Sequence, residues 1–202
     1  MKNKGRMIVV SAPSGCGKGT ILAEILKSDK FYYSISATTR APREGEKDGV
    51  NYHFITKEEF ERQIENGGML EYAEYCGNYY GTPKKILEEK MNEGINVILE
   101  IEVQGAMKVR KLLPDAVFIF IVPPSISELE RRLRKRGTET DDVIAKRVAE
   151  AAGEIKKAPD YDYIVVNGDL DDAVDDFKKI IRAEEMKSAY SKNIIDEVLE
   201  NA

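Results

Sequence analysis

The sequence predicts an α/β fold in which a parallel five-stranded sheet is flanked by helices. Three observations carry that expectation. Short, nearly continuous apolar runs alternate with segments of helical period, the pattern of strands buried on both faces. The first run, Met7 to Val10, ends in a glycine-rich turn and opens at once into a helical pattern at Lys18. Two stretches, about 36–90 and 125–157, break the alternation with no Ser/Gly/Pro-rich linker around them. They read as mobile insertions over the ligand edge of one domain.

Each element has its own signal. After Met7 to Val10 comes a helix from about Lys18 to Leu26, then a strand at Tyr32 to Ile35. Residues 40–49 are polar, with glycines and a proline, and read as loop. Tyr52 to Ile55 is a candidate short strand. Thr56 with Glu59 three residues on is a capping-box start for a helix. Met69 to Tyr75 alternates as a strand does, and Pro83 suits an early position of a helix running towards Asn92. Asn96 to Ile101 and Val117 to Val122 are apolar enough to be buried on both faces. Ser125 and Glu128 cap an arginine-rich helix that stops near Gly137, and Thr140 opens another. Tyr163 to Val166 reads as the last buried strand, and Asp169 caps a long amphipathic helix.

Composition excludes several classes. The chain of 202 residues is long enough to bury a core without disulfides or metals. Hydrophobic residues make up 42% and charged residues 33%, which is globular rather than disordered. A net charge of -5 argues against a nucleic-acid binder, which carries a basic face. Cys16 and Cys76 form no metal spacing and point to a reducing, cytoplasmic setting. Met1 to Arg6 is short and basic, with no signal-peptide pattern. Val117 to Val122, the longest aliphatic and aromatic run, is far too short to span a bilayer, so no membrane partner is expected.

The turn itself carries chemistry. Ala12-Pro13-Ser14-Gly15-Cys16-Gly17-Lys18-Gly19-Thr20 follows a strand and opens a helix, the context of a P-loop. Glycines let backbone N–H groups point inward, the helix start adds positive potential, and Lys18 supplies a point charge for the β- and γ-phosphates of ATP. Ala12 stands where a glycine is usual, and Gly19 where a hydroxyl residue is usual. Thr20 is then the hydroxyl expected near magnesium, directly or through water. Cys16, at a helix start, is either a thiol of lowered pKa or a small residue that merely fits.

Further on, Ser36-Ala37-Thr38-Thr39-Arg40-Ala41-Pro42-Arg43 sets two arginines three apart across a proline, a stiff cationic loop whose forks match phosphate oxygens. Downstream lie Glu46, Gly49, Tyr52, Glu71 and the run Gly77-Asn78-Tyr79-Tyr80-Gly81-Thr82. With the P-loop, TTRxPRxGE, GNYYGT and VNGDL together, the sequence resembles guanylate kinases from about Arg6 to Lys187. The resemblance implies a P-loop NTPase fold with a small mixed α/β GMP-binding insertion at about 36–90 and a helical lid at about 125–157. The remaining core covers about 1–35, 91–124 and 158–202. By position, Arg40, Arg43, Tyr52 and Tyr80 match residues that hold the GMP phosphate, with Glu46 beside them. Ser36, Glu71 and Thr82 match those that read guanine. Glu100 and Glu102 stand where aspartates are common, near the nucleotide, with Glu100 and Thr20 facing magnesium. Arg132, Arg136 and Arg147 match lid arginines at ATP and the transferring phosphates, and Asn167 a residue near adenine. Tyr79 reads as a packed aromatic, and His53, the sole histidine, as structural.

The implied reaction is transfer of the γ-phosphoryl group of ATP to GMP, and to dGMP. The acceptor phosphate, with a second pKa of about 6, is largely a dianion at neutral pH and needs no side-chain base. Three rivals stand beside this reading. A partner-binding module derived from such a kinase usually lacks a working P-loop, whereas Lys18 is kept. A regulatory GTPase needs NKxD after a strand, whereas Asn167 is followed by Gly168-Asp169. A kinase for another phosphorylated acceptor is separated by assay. The oligomeric state is not written in the sequence.

Overall fold

The computed structural model describes residues 4–136, 140–190 and 197–200, apart from the side chains of Tyr75 and Arg136. Its core is a five-stranded parallel sheet in the order β2-β7-β1-β8-β9. These strands are β1 (Met7–Ser11), β2 (Phe31–Tyr33), β7 (Asn96–Glu100), β8 (Val117–Val122) and β9 (Tyr163–Val166). A second sheet, in the order β4-β3-β6-β5, is formed by β3 (Ala37–Thr38), β4 (His53–Phe54), β5 (Met69–Tyr75) and β6 (Asn78–Pro83). The helices are α1 (Lys18–Ile25), α2 (Lys57–Glu65), α3 (Lys84–Asn92), α4 (Val103–Leu112), α5 (Ile126–Arg136), α6 (Asp141–Ile155) and α7 (Leu170–Glu185).

Period-two alternation sorts the core strands onto two faces. Ile8, Val10, Ile98, Ile119 and Ile121 pack against Ile21, Leu22 and Ile25 of α1 and Phe177 and Ile181 of α7. Met7, Val9, Val97, Leu99, Phe118 and Phe120 pack the other way, against Leu87 of α3 and Ala106 and Val109 of α4. Both faces are covered, so the strands read as continuous apolar runs. The last strand departs from that expectation. β9 is the edge, and Ile164 and Val166 are about half exposed (53% and 50%), so only one of its faces is buried.

Other differences have local causes. β2 lies one to two residues earlier than the Tyr32 to Ile35 run, because its partners are Asn96 to Ile98 of β7. β3 and β6 are strands through their pairing: Ala37 and Thr38 lie between His53 and Phe54 of β4 and Gly81 and Tyr80 of β6, and β6 also pairs with β5. Pro83 ends β6 and is the N-cap of α3 rather than a residue within its first turn. Thr56 caps α2 through the Glu59 N–H and Asp169 caps α7 through two N–H groups, whereas Thr140 precedes α6 without a side-chain cap. Ser125 Oγ accepts the Glu128 N–H at 3.1 Å and starts α5. α5 and α6 bury a small core of their own around Leu129, Leu133, Ile144 and Ala151.

The base of the molecule is held by a buried ion pair. Arg6 lies 3.5 Å from Glu184 of α7, donates to the Asp115 carbonyl at 3.1 Å, and is covered by the Tyr190 ring. No helix among the described residues is long and apolar enough to cross a membrane. Phe177 is fully buried where α7 closes the sheet. Phe177→Ala is expected to lower stability by about 3–5 kcal/mol, read as a lower urea midpoint at unchanged denaturant slope.

Candidate active site

The site is assembled at the carboxyl ends of β1 and β7. Ser11 Oγ donates to the Ile101 carbonyl at 2.7 Å and ties the two strand ends together. The chain then turns through residues 12–17. Gly15 and Gly17 both have a φ of 88°, a conformation side chains avoid. Space is lacking as well: a Cβ on Gly17 would sit 2.4 Å from Asn167 Nδ2, and one on Gly15 would sit 2.7 Å from Leu133 Cδ2. Gly17 is the N-cap of α1, so the positive end of that helix borders the loop.

A cavity of about 570 Å³ lies in front of this turn, lined by residues 12–20 with Glu100, Ile101, Glu102 and Glu154. Lys18 Nζ stands 3.1 Å from Glu100 Oε1. The other oxygen of Glu100 accepts the Tyr33 hydroxyl at 3.0 Å. Burial pushes the Tyr33 phenol well up, and Glu100 adds to that by charge and hydrogen bonding. Lys18, Glu100 and Tyr33 thus form a chain from the loop, across β7, to β2.

Behind the turn, the Cys16 carbonyl accepts Asn167 Nδ2 at 2.6 Å and Arg132 Nη1 at 3.3 Å. Arg132 also donates to the Asn167 carbonyl at 2.9 Å and to Glu128 at 2.8 Å. It is therefore turned inward, whereas Arg134 sits on the solvated side with Glu130 and Asp141. Hydrogen bonds from Arg131 and Arg132 hold the Glu128 carboxyl down at about 2. A second cavity of about 500 Å³ opens on this side, between Thr20, Arg132, Lys135, Asn167 and Leu170. The Cys16 side chain is fully buried, with Sγ donating to the Ile121 carbonyl at 3.5 Å. Burial pushes its thiol up to about 12, against the pull of Arg132 and Lys18. Of the two readings of Cys16, the small residue that fits is the one the geometry supports.

The α5–α6 pair reaches the loop from above. Arg147 of α6 donates to Ser14 Oγ. Glu154, two turns on, lines the same cavity. Burial raises the Glu154 carboxyl, with Glu102 adding and Lys18 opposing. Arg136 closes α5, and its side chain lies outside the described residues, as does Gly137.

The second sheet gathers the remaining residues. Arg40 Nη2 is 2.9 Å from Glu46 Oε1, while Glu46 Oε2 accepts the Arg43 backbone N–H at 2.7 Å. Glu46 thus holds the arginine loop, a positioning contact within the protein. The Arg40 guanidinium lies 5.6 Å from the Tyr52 ring, and Tyr52 meets Tyr80 edge to face at 5.9 Å. Thr82, fully buried, donates to Glu71 Oε1 at 2.7 Å across the β5–β6 ladder. The Ser36 carbonyl accepts the His53 N–H at 2.8 Å, a backbone ladder contact that accounts for the histidine's place. Tyr79 stacks on Phe60 at 5.3 Å, a packing role. Sequence reasoning passed over Tyr33 and Glu154. Neither belongs to a motif, and only the fold brings Tyr33 to Glu100 and Glu154 to the loop cavity.

A parallel sheet with a glycine turn on a helix start, a lysine at its mouth and a separate arginine loop defines a P-loop phosphotransferase. The comparisons narrow the class. A sequence profile of guanylate kinase matches residues 4–184. The guanylate kinase of Latilactobacillus sakei is 52% identical over 189 residues, 93% of each chain. That of Streptococcus thermophilus is 54% identical over 93% of this chain and 90% of its own. The crystal structure of guanylate kinase from Anaplasma phagocytophilum superposes with a TM-score of 0.71 at 38% identity, covering 94% of this chain and 91% of that one. The chain belongs to the guanylate kinase family, the ATP:GMP phosphotransferases.

Lys18→Ala removes the ammonium group at the mouth of the loop, and turnover is expected to fall by at least about 100-fold, the scale of a lost charge-stabilising group. Wild-type turnover by a variant that keeps its circular dichroism spectrum would refute the role of the loop. For the thiols, iodoacetamide at pH 8 is expected to modify the exposed Cys76 and spare Cys16, read by peptide mass spectrometry.

Proposed function

We propose that the two halves of the site divide the reaction. The loop from Ala12 to Thr20 takes the ATP phosphates. The outer cavity between Arg132 and Asn167 takes the adenosine end. The second sheet takes GMP, and dGMP as well. Arg40 and Arg43, with Tyr52 and Tyr80, aim the acceptor phosphate. Arg147 and Arg136, on the α5–α6 lid, neutralise charge on the moving group, and lid closure excludes water as a competing acceptor. The setting is the cytoplasm.

Magnesium fits this arrangement as a companion of ATP. Glu100 and Thr20 offer oxygen donors on the loop cavity, and among the described residues no group of three metal-binding side chains forms a cage. That donor set suits a cation that keeps several waters and is shared with phosphate oxygens. When bound, it neutralises charge on the β- and γ-phosphate oxygens.

Glu71 carries the choice of acceptor. Guanine presents two adjacent donors, N1–H and the 2-amino group, whereas adenine has an acceptor at N1 and no 2-amino group. A carboxylate accepts at both oxygens and donates nothing. Thr82 fixes Glu71 by donating to one oxygen from a fully buried position. A site built this way rejects the wrong base by roughly 10⁴-fold, because the unmatched polar group is left unpaired. Diphosphate formation assayed with GMP, AMP, dTMP and UMP tests the acceptor class. In Glu71→Gln, kcat/KM for GMP is expected to fall by about 100-fold or more, roughly 3 kcal/mol. The value for AMP is expected to hold or rise from a very low base. Equal proportional losses with GMP and AMP would show that Glu71 does not read the base.

A further inference from the structure

Both oxygens of one carboxylate at the end of β7 are engaged, one by the phosphate loop and one by the edge strand β2. Glu100 Oε1 is 3.1 Å from Lys18 Nζ, and Oε2 accepts the Tyr33 hydroxyl at 3.0 Å. The sheet register explains the second contact. Tyr33, the last residue of β2, lies opposite Ile98, so its ring shares a face with Ile98 and Glu100 and packs against the cluster that holds Ile98 and α1. Glu100 stands two residues further along β7, about 6.6 Å by strand rise, a reach that suits a tyrosine and not a serine or threonine. A phenol, with an ordinary pKa of about 10, is protonated at neutral pH and donates. A glutamate side chain is long, and ordering it costs entropy that its partners must offset. Loose placement is costly here for a second reason, because Glu102 and Glu154 line the same cavity.

In the reading given above, the donor phosphates draw Lys18 away from Glu100. The carboxylate then keeps one partner or none, and Tyr33 decides which. A carboxylate that would be left with none, among other acids, holds on to its lysine and opposes the release. We propose that Tyr33 is a positioning residue for the donor site: its hydroxyl keeps Glu100 in place on β7 and so frees Lys18 to turn to the ATP phosphates. Tyr33 acts through Glu100 and Lys18, and the inference rests on the role given to Lys18.

The test is a double-mutant cycle on the full chain, with circular dichroism recorded for each variant. Tyr33→Phe removes the hydroxyl and keeps the ring in the core. By calorimetry, in magnesium buffer with no acceptor present, Kd for ATP is expected to rise by roughly tenfold, the scale of one hydrogen bond to a charged group. KM for GMP is expected to stay within about twofold. That split separates positioning from structure. β2 runs directly into Ser36 and the loop of Arg40 and Arg43, so a structural lesion at Tyr33 would weaken GMP at least as much as ATP. In a Glu100→Ala background, Tyr33→Phe is expected to add less than about twofold, because the hydroxyl acts only through that carboxylate. An unchanged Kd for ATP in Tyr33→Phe, or an equal rise in both backgrounds, would overturn the proposal. So would a loss that falls on GMP as heavily as on ATP. If Lys18→Ala alone binds ATP as wild type does, the reading of Lys18 fails and the Tyr33 role with it. That result is distinct from a silent Tyr33→Phe beside an impaired Lys18→Ala.

Discussion

The Cys16 carbonyl is the contact on which the rest of the site hangs. A loop that points N–H groups at phosphates must point carbonyls elsewhere, and a buried carbonyl without a partner costs about 1–3 kcal/mol. Here Asn167 and Arg132 both donate to that oxygen. The two donors come from different parts of the chain. Asn167 follows β9, and Arg132 is on α5. Arg132 closes the triangle by donating to the Asn167 carbonyl. One backbone oxygen therefore fixes the loop to the far edge of the sheet and to α5. The lack of side-chain room at Gly15 and Gly17 is the steric side of the same packing.

Acids hold three of the site's cations. Glu128 grips Arg132, Glu46 grips Arg40, and Glu100 grips Lys18. Each pair is partly open to water, so its worth is orientation more than stability. A guanidinium held by one edge keeps its fork aimed, and less side-chain entropy is lost when phosphate arrives. In the proposed reading, this is how a chain of net charge -5 serves two phosphates: the positive charge is local, and Lys18, Arg40 and Arg132 each come with an acid.

What was legible in the sequence follows from how local each cause is. The strands Met7 to Val10, Asn96 to Ile101 and Val117 to Val122 are buried on both faces, so their runs announce them. The phosphate loop is legible because glycines, helix start and lysine act within nine residues. β3 and β6 are different. Ala37 and Thr38 form a strand because His53 and Phe54 lie on one side and Gly81 and Tyr80 on the other, a tertiary fact that alternation does not encode. β9 misled in the other direction, since Ile164 and Val166 are apolar yet lie on the outer edge. In the site, the pair Arg40 and Arg43 is readable as phosphate chemistry, whereas Glu71 acquires meaning from family resemblance and from its partner Thr82, eleven residues away. Tyr33 and Glu154 were illegible, one a tyrosine in an aromatic run and the other one acid among many on an amphipathic helix.

The lining of the loop cavity bears on the form in which the donor arrives. Lys18 is the cation there, and Glu100, Glu102 and Glu154 are the acids. Lys18 is already engaged by Glu100, so its field is partly spent within the protein. A bare triphosphate entering this space approaches three carboxylates at short range, and at an effective dielectric of about 20 each like-charge contact near 4 Å opposes it by about 4 kcal/mol before screening. Backbone N–H dipoles and the helix start offset part of that repulsion. In the proposed reading, a divalent cation on the phosphates would offset more, with Glu100 as an oxygen donor to it. The acid-rich wall beside a P-loop is therefore not at odds with polyphosphate binding. It is the physical reason the proposed donor is a metal-bound triphosphate.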